Sequence, residues 1–304
     1  MNPPTAYGGQ AVIEGVMIRG WRTIGLACRL PSGEIYRYRE PLRSLLLRSR
    51  LARAPFVRGL IVLWESLSYG TRMLMKSADL QLGVAGGGSM SGGSNAVVFA
   101  IALVAALAFF VGIPYFATQA ARQLIESSLA LNIAEGLLRM ILFLGYLFAI
   151  SFMPDIRRVF MYHGAEHMTI HAFEHGDELV RSKIEPYPTA HPRCGTAFLL
   201  FVVVVSIALF AFLPRTNIFV DLVARLALIV PVASISYEVL RFGAAHESSP
   251  LMRLFVAPGL LLQGITTRRP DPGMIDVAVA SLQEALAGDA DAAARTPAAA
   301  TSPS

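Results

Sequence analysis

Charge is scarce in this chain: of 304 residues only 15% are charged, while 54% are hydrophobic. A water-soluble domain carries about 25% charged residues, so the composition excludes a wholly solvated globular protein. Cysteine is scarcer still. Cys28 and Cys194 cannot build a disulfide framework, and they read as free thiols or, for one of them, a metal ligand. The opening residues MNPPTAYGGQ lack the basic and apolar blocks of a cleavable signal peptide, so membrane insertion is expected to rely on internal segments. Glycines at 8, 9, 15 and 20 lack the spacing of a phosphate loop such as G-x-x-x-x-G-K. They read as turns in a small sheet, with Glu14 paired to an arginine.

Long apolar runs are present. Four of them, at 97–117, 136–153, 197–213 and 219–240, approach the roughly 17–25 residues a transmembrane helix needs. Arg139 and Arg225 fall inside the second and fourth, where each must face a neighbouring helix or snorkel to an interface. Two further apolar stretches, 56–78 and 251–267, are interrupted by charge or by Pro258-Gly259 and read as interfacial or re-entrant helices. Of the 26 Lys and Arg residues, 12 precede the first run; only Arg122 separates the first and second, and only Arg215 the third and fourth. Positive charge is retained on the cytoplasmic side, so both termini and the segment 154–196 are expected to be cytoplasmic. The net charge of +5, concentrated in LRSLLLRSRLAR at 42–53, suits anionic lipid headgroups better than nucleic acid.

The expected fold is therefore an α-helical integral membrane protein of about four transmembrane helices plus interfacial helices, with a small cytoplasmic N-terminal β-hairpin or sheet. Residues 1–80 hold the β element and an interfacial helix. The β element rests on alternating side chains in GGQAVIEGVMIRG, TIGLACRL and IYRYRE around a PSGE turn, and predicts two or three strands. Residues 81–95 form a Gly/Ser linker. Residues 96–246 form the bundle, 247–287 interfacial and amphipathic C-terminal helices, and 288–304 a disordered tail.

Chemistry concentrates in PDIRRVFMYHGAEHMTIHAFEHGDE. Five of the six histidines, His163, His167, His171, His175 and His191, lie within 29 residues. Pro154 suits a first helical turn and Gly176 a C-terminal cap, which predicts a helix over 155–175. His163 and His167 then sit one turn apart, within reach of one ion, with Glu166 beside them. The same residues spell H-x-x-E-H, in which two histidines hold zinc and the glutamate is the general base. His171, Glu174, His191, Cys194 and Glu238 are further candidate ligands, with Glu238 or His191 as the third. Three other readings stand beside this one. A closed structural zinc site would use His163, His167, His191 and Cys194. Interfacial histidines would simply hydrogen-bond backbone and lipid. A two-metal site would use Glu166, His171 and Glu174. For Glu238 the alternative is an ion pair with Arg241 or Arg225.

The segments GGQAVIEGVMIRG, YHGAEHMTIHAFEHG, HPRCGTAF, ISYEVLRF and TTRRPDPGMIDVAVASL together resemble the YqhQ-like family of bacterial membrane proteins, over about residues 8–287. The resemblance implies a multi-pass protein of the bacterial cytoplasmic membrane and a metal-dependent enzyme, and it supplies no substrate. The leading expectation is a metal-dependent membrane hydrolase, with zinc or another divalent metal and a peptide or lipid-linked substrate. The alternative is a non-catalytic assembly or scaffold protein with a structural metal site.

Overall fold

The computed structural model describes residues 7–44, 51–83, 92–246 and 249–294. In it the segment GGQAVIEGVMIRG doubles back at Ile13 and Glu14, the latter in the left-handed region at φ 50°. One expected strand thereby becomes two, β1 (Gly8–Val12) and β2 (Gly15–Arg19), followed by β3 (Thr23–Arg29) and β4 (Ile35–Pro41). They form one antiparallel sheet in the order β1-β2-β3-β4. Because side chains alternate between the two faces of a sheet, it can bury both. Val16, Ile18 and Ala27 pack against helices α5 (Pro154–His175) and α11 (Pro272–Ala294). Val12, Met17, Ile24, Leu26 and Cys28 pack against α1 (Val57–Gln81) on the other face.

Among the described residues, three helical stretches are long and apolar enough to cross a membrane: Ala100–Gln123, Ser128–Ile150 and Ile218–Gly243. The first comprises the second half of α2 (Gly92–Leu107), a π-helical turn (Ala108–Gly112), α3 (Ile113–Ala120) and a 3-10 turn (Ala121–Gln123), and the second is α4 (Ser128–Ile150). The third is α8 (Ile218–Ala227) and α9 (Ile229–Ala245), broken at Leu228. Pro231 has no N–H to give to the Ala227 carbonyl, which accounts for the interruption. The expected run at 197–213 is α7 (Gly195–Ala211), a helix of 17 residues and about 26 Å, shorter than a typical span. A four-residue turn, α6 (Arg181–Ile184), precedes it, and α10 (Pro250–Thr266) links the bundle to α11. α11 runs to Ala294, past the expected boundary at 287, while the tail after 294 and residues 84–91 of the expected linker lie outside the described residues.

The bundle is cross-linked by buried charge. Glu135 on α4, 1% exposed, accepts from Arg139 Nη2 (2.8 Å), Arg215 Nη2 (2.7 Å) and Arg225 Nη2 (2.7 Å). Asn132, one turn earlier, accepts from Arg215 Nε (2.8 Å) and Arg225 Nη2 (3.1 Å), and donates to the carbonyls of Ala211 and Leu213. Asp221 accepts from Tyr115 Oη at 2.9 Å and from the Thr216 N–H at 2.9 Å. Arg139 Nε reaches the carbonyl of Phe110 (2.8 Å). That carbonyl would ordinarily accept from residue 114, which is proline, so the π-helical turn and Arg139 resolve the same missing donor. Both intrahelical arginines thus face neighbouring helices, and Arg225 pairs with Glu135 and not with Glu238.

Removing the shared carboxylate leaves three buried guanidiniums without their counter-charge. Glu135→Gln is expected to destabilise the protein by about 3–5 kcal/mol, the range for breaking a buried pair. Thermal unfolding of the detergent-solubilised variant checks this, and an unchanged midpoint would show that the network does not hold the bundle.

Candidate metal centre

Helix α5 begins with Pro154 in its first turn and ends at Gly176, whose φ of 76° gives the left-handed cap predicted for it. Between those limits His163 and His167 stand one turn apart, with ring centroids 4.3 Å from each other. Each is oriented by a backbone carbonyl. His163 Nδ1 donates to the Thr266 carbonyl (2.9 Å) at the end of α10, and His167 Nδ1 donates to the Thr189 carbonyl (2.6 Å). A carbonyl can only accept, so both Nδ1 atoms carry a proton, and in the neutral tautomer this selects, Nε2 carries the lone pair. This is the outer-shell arrangement that fixes the tautomer of a metal-ligating histidine.

The lone pairs meet a thiol. Cys194, the N-cap of α7, holds its Sγ 3.2 Å from His163 Nε2 and accepts from the Thr196 N–H at 3.3 Å. Ligand atoms of His163, His167 and Cys194 all lie within 4.8 Å of one another. Two imidazoles and one thiol form a donor set suited to zinc, and a related borderline ion fits the same chemistry. The approach depends on Gly164, where a Cβ would sit 2.1 Å from the Arg268 carbonyl oxygen. The absence of a side chain there lets the extended segment after α10 cross α5 closely enough to deliver the Thr266 carbonyl.

Glu166 completes the cluster without joining the three. Its Oε2 lies 3.8 Å from His167 Nε2, and its Oε1 accepts the Gly9 N–H at 2.9 Å. The N-terminal sheet therefore reaches the site through the backbone of β1. Gly9 is required there: a Cβ would lie 2.2 Å from the Met17 carbonyl oxygen and 3.3 Å from Glu166 Cγ. Glu166 is 4% exposed, and burial pushes its carboxyl above the usual range, opposed by His163, His191 and the Gly9 N–H. Burial likewise pushes His167 down, opposed by Cys194, which favours the neutral ring that a ligand needs.

The remaining candidates form an outer ring or lie elsewhere. His191 turns Nε2 to Glu174 Oε2 (3.3 Å), while its backbone is clamped from both sides by the Gln263 amide (2.8 and 3.0 Å). Glu174 also pairs with Arg193; despite the opposing effect of burial, His191 and Arg193 hold its carboxyl below the usual range. His171 Nε2 donates to the Ala190 carbonyl (2.9 Å), and burial lowers its pKa against that bond. Glu166, His171 and Glu174 each face different partners, so they do not gather as a two-metal site. Glu238, expected as a third ligand, instead accepts from Arg58 Nε (2.8 Å) and the Phe56 N–H (3.1 Å). Its counter-ion is neither Arg241 nor Arg225. Glu14 pairs with Arg158, as a turn residue tied to an arginine should. The orienting groups absent from the sequence reading are the carbonyls of Thr189 and Thr266 and the N–H of Gly9, for which no side-chain signal exists.

Comparison with known proteins places these residues in a family. The model for the family described as "Protein of unknown function (DUF1385)" matches residues 54–288, which include all the candidate ligands. The chain is 31% identical over 295 residues to "Uncharacterized protein YqhQ" of Bacillus subtilis (strain 168), covering 93% of each chain. No solved structure matches. By the extent of both matches, the chain belongs to the DUF1385 family of proteins of unknown function.

Proposed function

We propose that this protein is a metal-dependent hydrolase of the bacterial cytoplasmic membrane, with His163, His167 and Cys194 as ligands and Glu166 as general base. The observation that carries the reading is the convergence of three ligand atoms whose two imidazoles are already committed, through Nδ1, to backbone carbonyls. Three protein ligands leave a tetrahedral ion one open position, the signature of a catalytic centre; a closed structural site needs four. His191, the natural fourth ligand, is engaged with Glu174. This favours the hydrolase over the scaffold with a structural ion.

A zinc or other divalent ion held by His163, His167 and Cys194 would supply Lewis acidity, lowering the pKa of water and polarising a carbonyl or phosphoryl oxygen. The chain supplies the rest. Glu166, raised by burial, takes the proton from the attacking water through Oε2 and returns it to the leaving group. The Gly9 N–H holds Oε1, so the free oxygen keeps one direction. Thr189 and Thr266 lock the rings. In this reading α7 is a fourth crossing helix, both termini are cytoplasmic, and the site lies where α7 leaves the bilayer. Peptide and lipid-linked esters or amides are the substrates compatible with that position, and anionic lipid surrounds it.

Elemental analysis of detergent-purified protein is expected to find about one equivalent of zinc, lost in His163→Ala/His167→Ala. Glu166→Gln is expected to keep the metal and lose about 10²–10⁴-fold in turnover on whichever peptide or ester substrate the wild type cleaves. A metal-free wild type after reconstitution would sink the hydrolase. Loss of metal in His191→Ala, with no effect of Glu166→Gln, would favour the closed structural site. A thiol-alkylation experiment gives an independent readout. Cys194 should be protected by bound zinc and modified after chelation, whereas Cys28, whose thiol burial pushes up to about 12, should resist in both states.

A further inference from the structure

Among the described residues, helix α1 buries one face against the protein and leaves a row of apolar side chains on the other exposed. At about 100° per residue, Val57, Trp64, Met75 and Leu82 fall within about 20° of one line along the helix. Tyr69, Met73 and Ser77 lie about 120–200° around from that line, on the buried face, with Tyr69 and Met73 packed into the core under the sheet. The outer line is exposed: Trp64 is 68%, Met75 41% and Leu82 76% accessible, with Leu67 at 53% to one side. Ser68, Thr71 and Asp79 lie within about 40° of the same line, so the exposed row alternates apolar and polar side chains along a helix about 37 Å long.

We propose that this stripe seats α1 on the surface of an anionic bilayer, at the boundary between headgroups and acyl chains. Two observations select that occupant. The first is continuity with the apolar surface of a candidate span. The N-terminus of α1 is bound to α9 by Arg58 and the Phe56 N–H on Glu238, and by Ser234 Oγ on the Phe56 carbonyl at 2.5 Å. Phe56 holds φ of 66°, a strained value for a non-glycine residue, so the elbow is over-determined by these contacts. Phe56 and Phe242 of α9, 53% and 56% exposed, share one open cleft of about 390 Å³ with Ile235 and Val239. Exposed apolar side chains of α9 thus adjoin the start of α1. The second observation is charge. LRSLLLRSRLAR, directly before α1, carries Arg43, Arg48, Arg50 and Arg53 in twelve residues, a density that suits anionic headgroups. A tryptophan on the stripe is the residue type that collects at this depth.

The seat has a mechanical consequence. α1 underlies the sheet, and β1 of that sheet holds Glu166. Fixing α1 at the bilayer surface therefore fixes the height of the strand that contacts the metal centre, whether or not an ion is bound.

The test uses full-length protein in phosphatidylglycerol-containing vesicles. Trp21→Phe leaves Trp64 as the single tryptophan. Lipids brominated close to the headgroup should quench its fluorescence at least about twofold more than lipids brominated deep in the chain, and aqueous iodide should quench little. Three outcomes would overturn the proposal: strong iodide quenching with none from lipid places the stripe in water; dominant deep quenching makes α1 a span; shielding from both, with disulfide formation between copies of Met75→Cys, makes the stripe a subunit interface. If Trp21→Phe does not fold, a fluorophore on Met75→Cys in a Cys194→Ser chain, with Cys28 buried, reads the same depths.

Discussion

A single carboxylate surrounded by three guanidiniums holds the apolar helix bundle together. Glu135, Arg139, Arg215 and Arg225 are each at most 6% exposed, and in a low-dielectric interior none of them is tolerable alone. Their geometry ties α4, α8 and the loop after α7 into one unit, while Arg139 reaches the Phe110 carbonyl freed by Pro114. Rings assist: Arg225 lies 4.7 Å from the Tyr115 centroid and Arg139 5.0 Å from that of Phe210. The position of α7 follows from this network, and α7 presents Cys194 at its other end.

The candidate metal centre is assembled from both halves of the molecule. α5 contributes the histidine pair and Glu166; the N-terminus of α7 contributes Cys194; the end of α10 and the loop before α7 contribute orienting carbonyls; and β1 contributes an N–H. The ligands are side chains, but their directions are set by main chain. Main-chain groups hold a side chain without adding a titrating partner, so each imidazole is presented in one tautomer. The membrane seat proposed for α1 belongs to the same economy, since α1 positions the sheet that holds Glu166.

Legibility in the sequence divides along range of interaction. The helix bearing His163 and His167 was readable at both ends, because Pro154 and Gly176 act through local backbone geometry. The small sheet was readable from alternation, but its strand count was not, since the turn at Ile13-Glu14 lacks the glycine or asparagine that normally marks one. α7 was placed within two residues by its apolar run, yet the same run could not decide whether 17 residues cross a bilayer. Glu238 read as a ligand on the strength of an isolated charge in an apolar run; its partner, Arg58, is 180 residues away. The pairing of Glu135 with Arg139 had a local signal in their four-residue spacing, whereas its pairing with Arg215 and Arg225 had none.

Composition and periodicity alone determined that this is a helical chain with several apolar spans, a small N-terminal sheet and one histidine-rich helix, because those properties depend on hydrophobicity and on residues within a turn of each other. Only the tertiary structure decided that Cys194, and not His191 or Glu238, joins the histidine pair. It alone decided that Gly9 holds Glu166 and that three arginines share Glu135. The reason is physical: a hydrogen bond or a ligand set is specified at a tolerance of tenths of an ångström, and contacts between residues 20 to 160 positions apart acquire that precision only when the helices and sheet that carry them have packed.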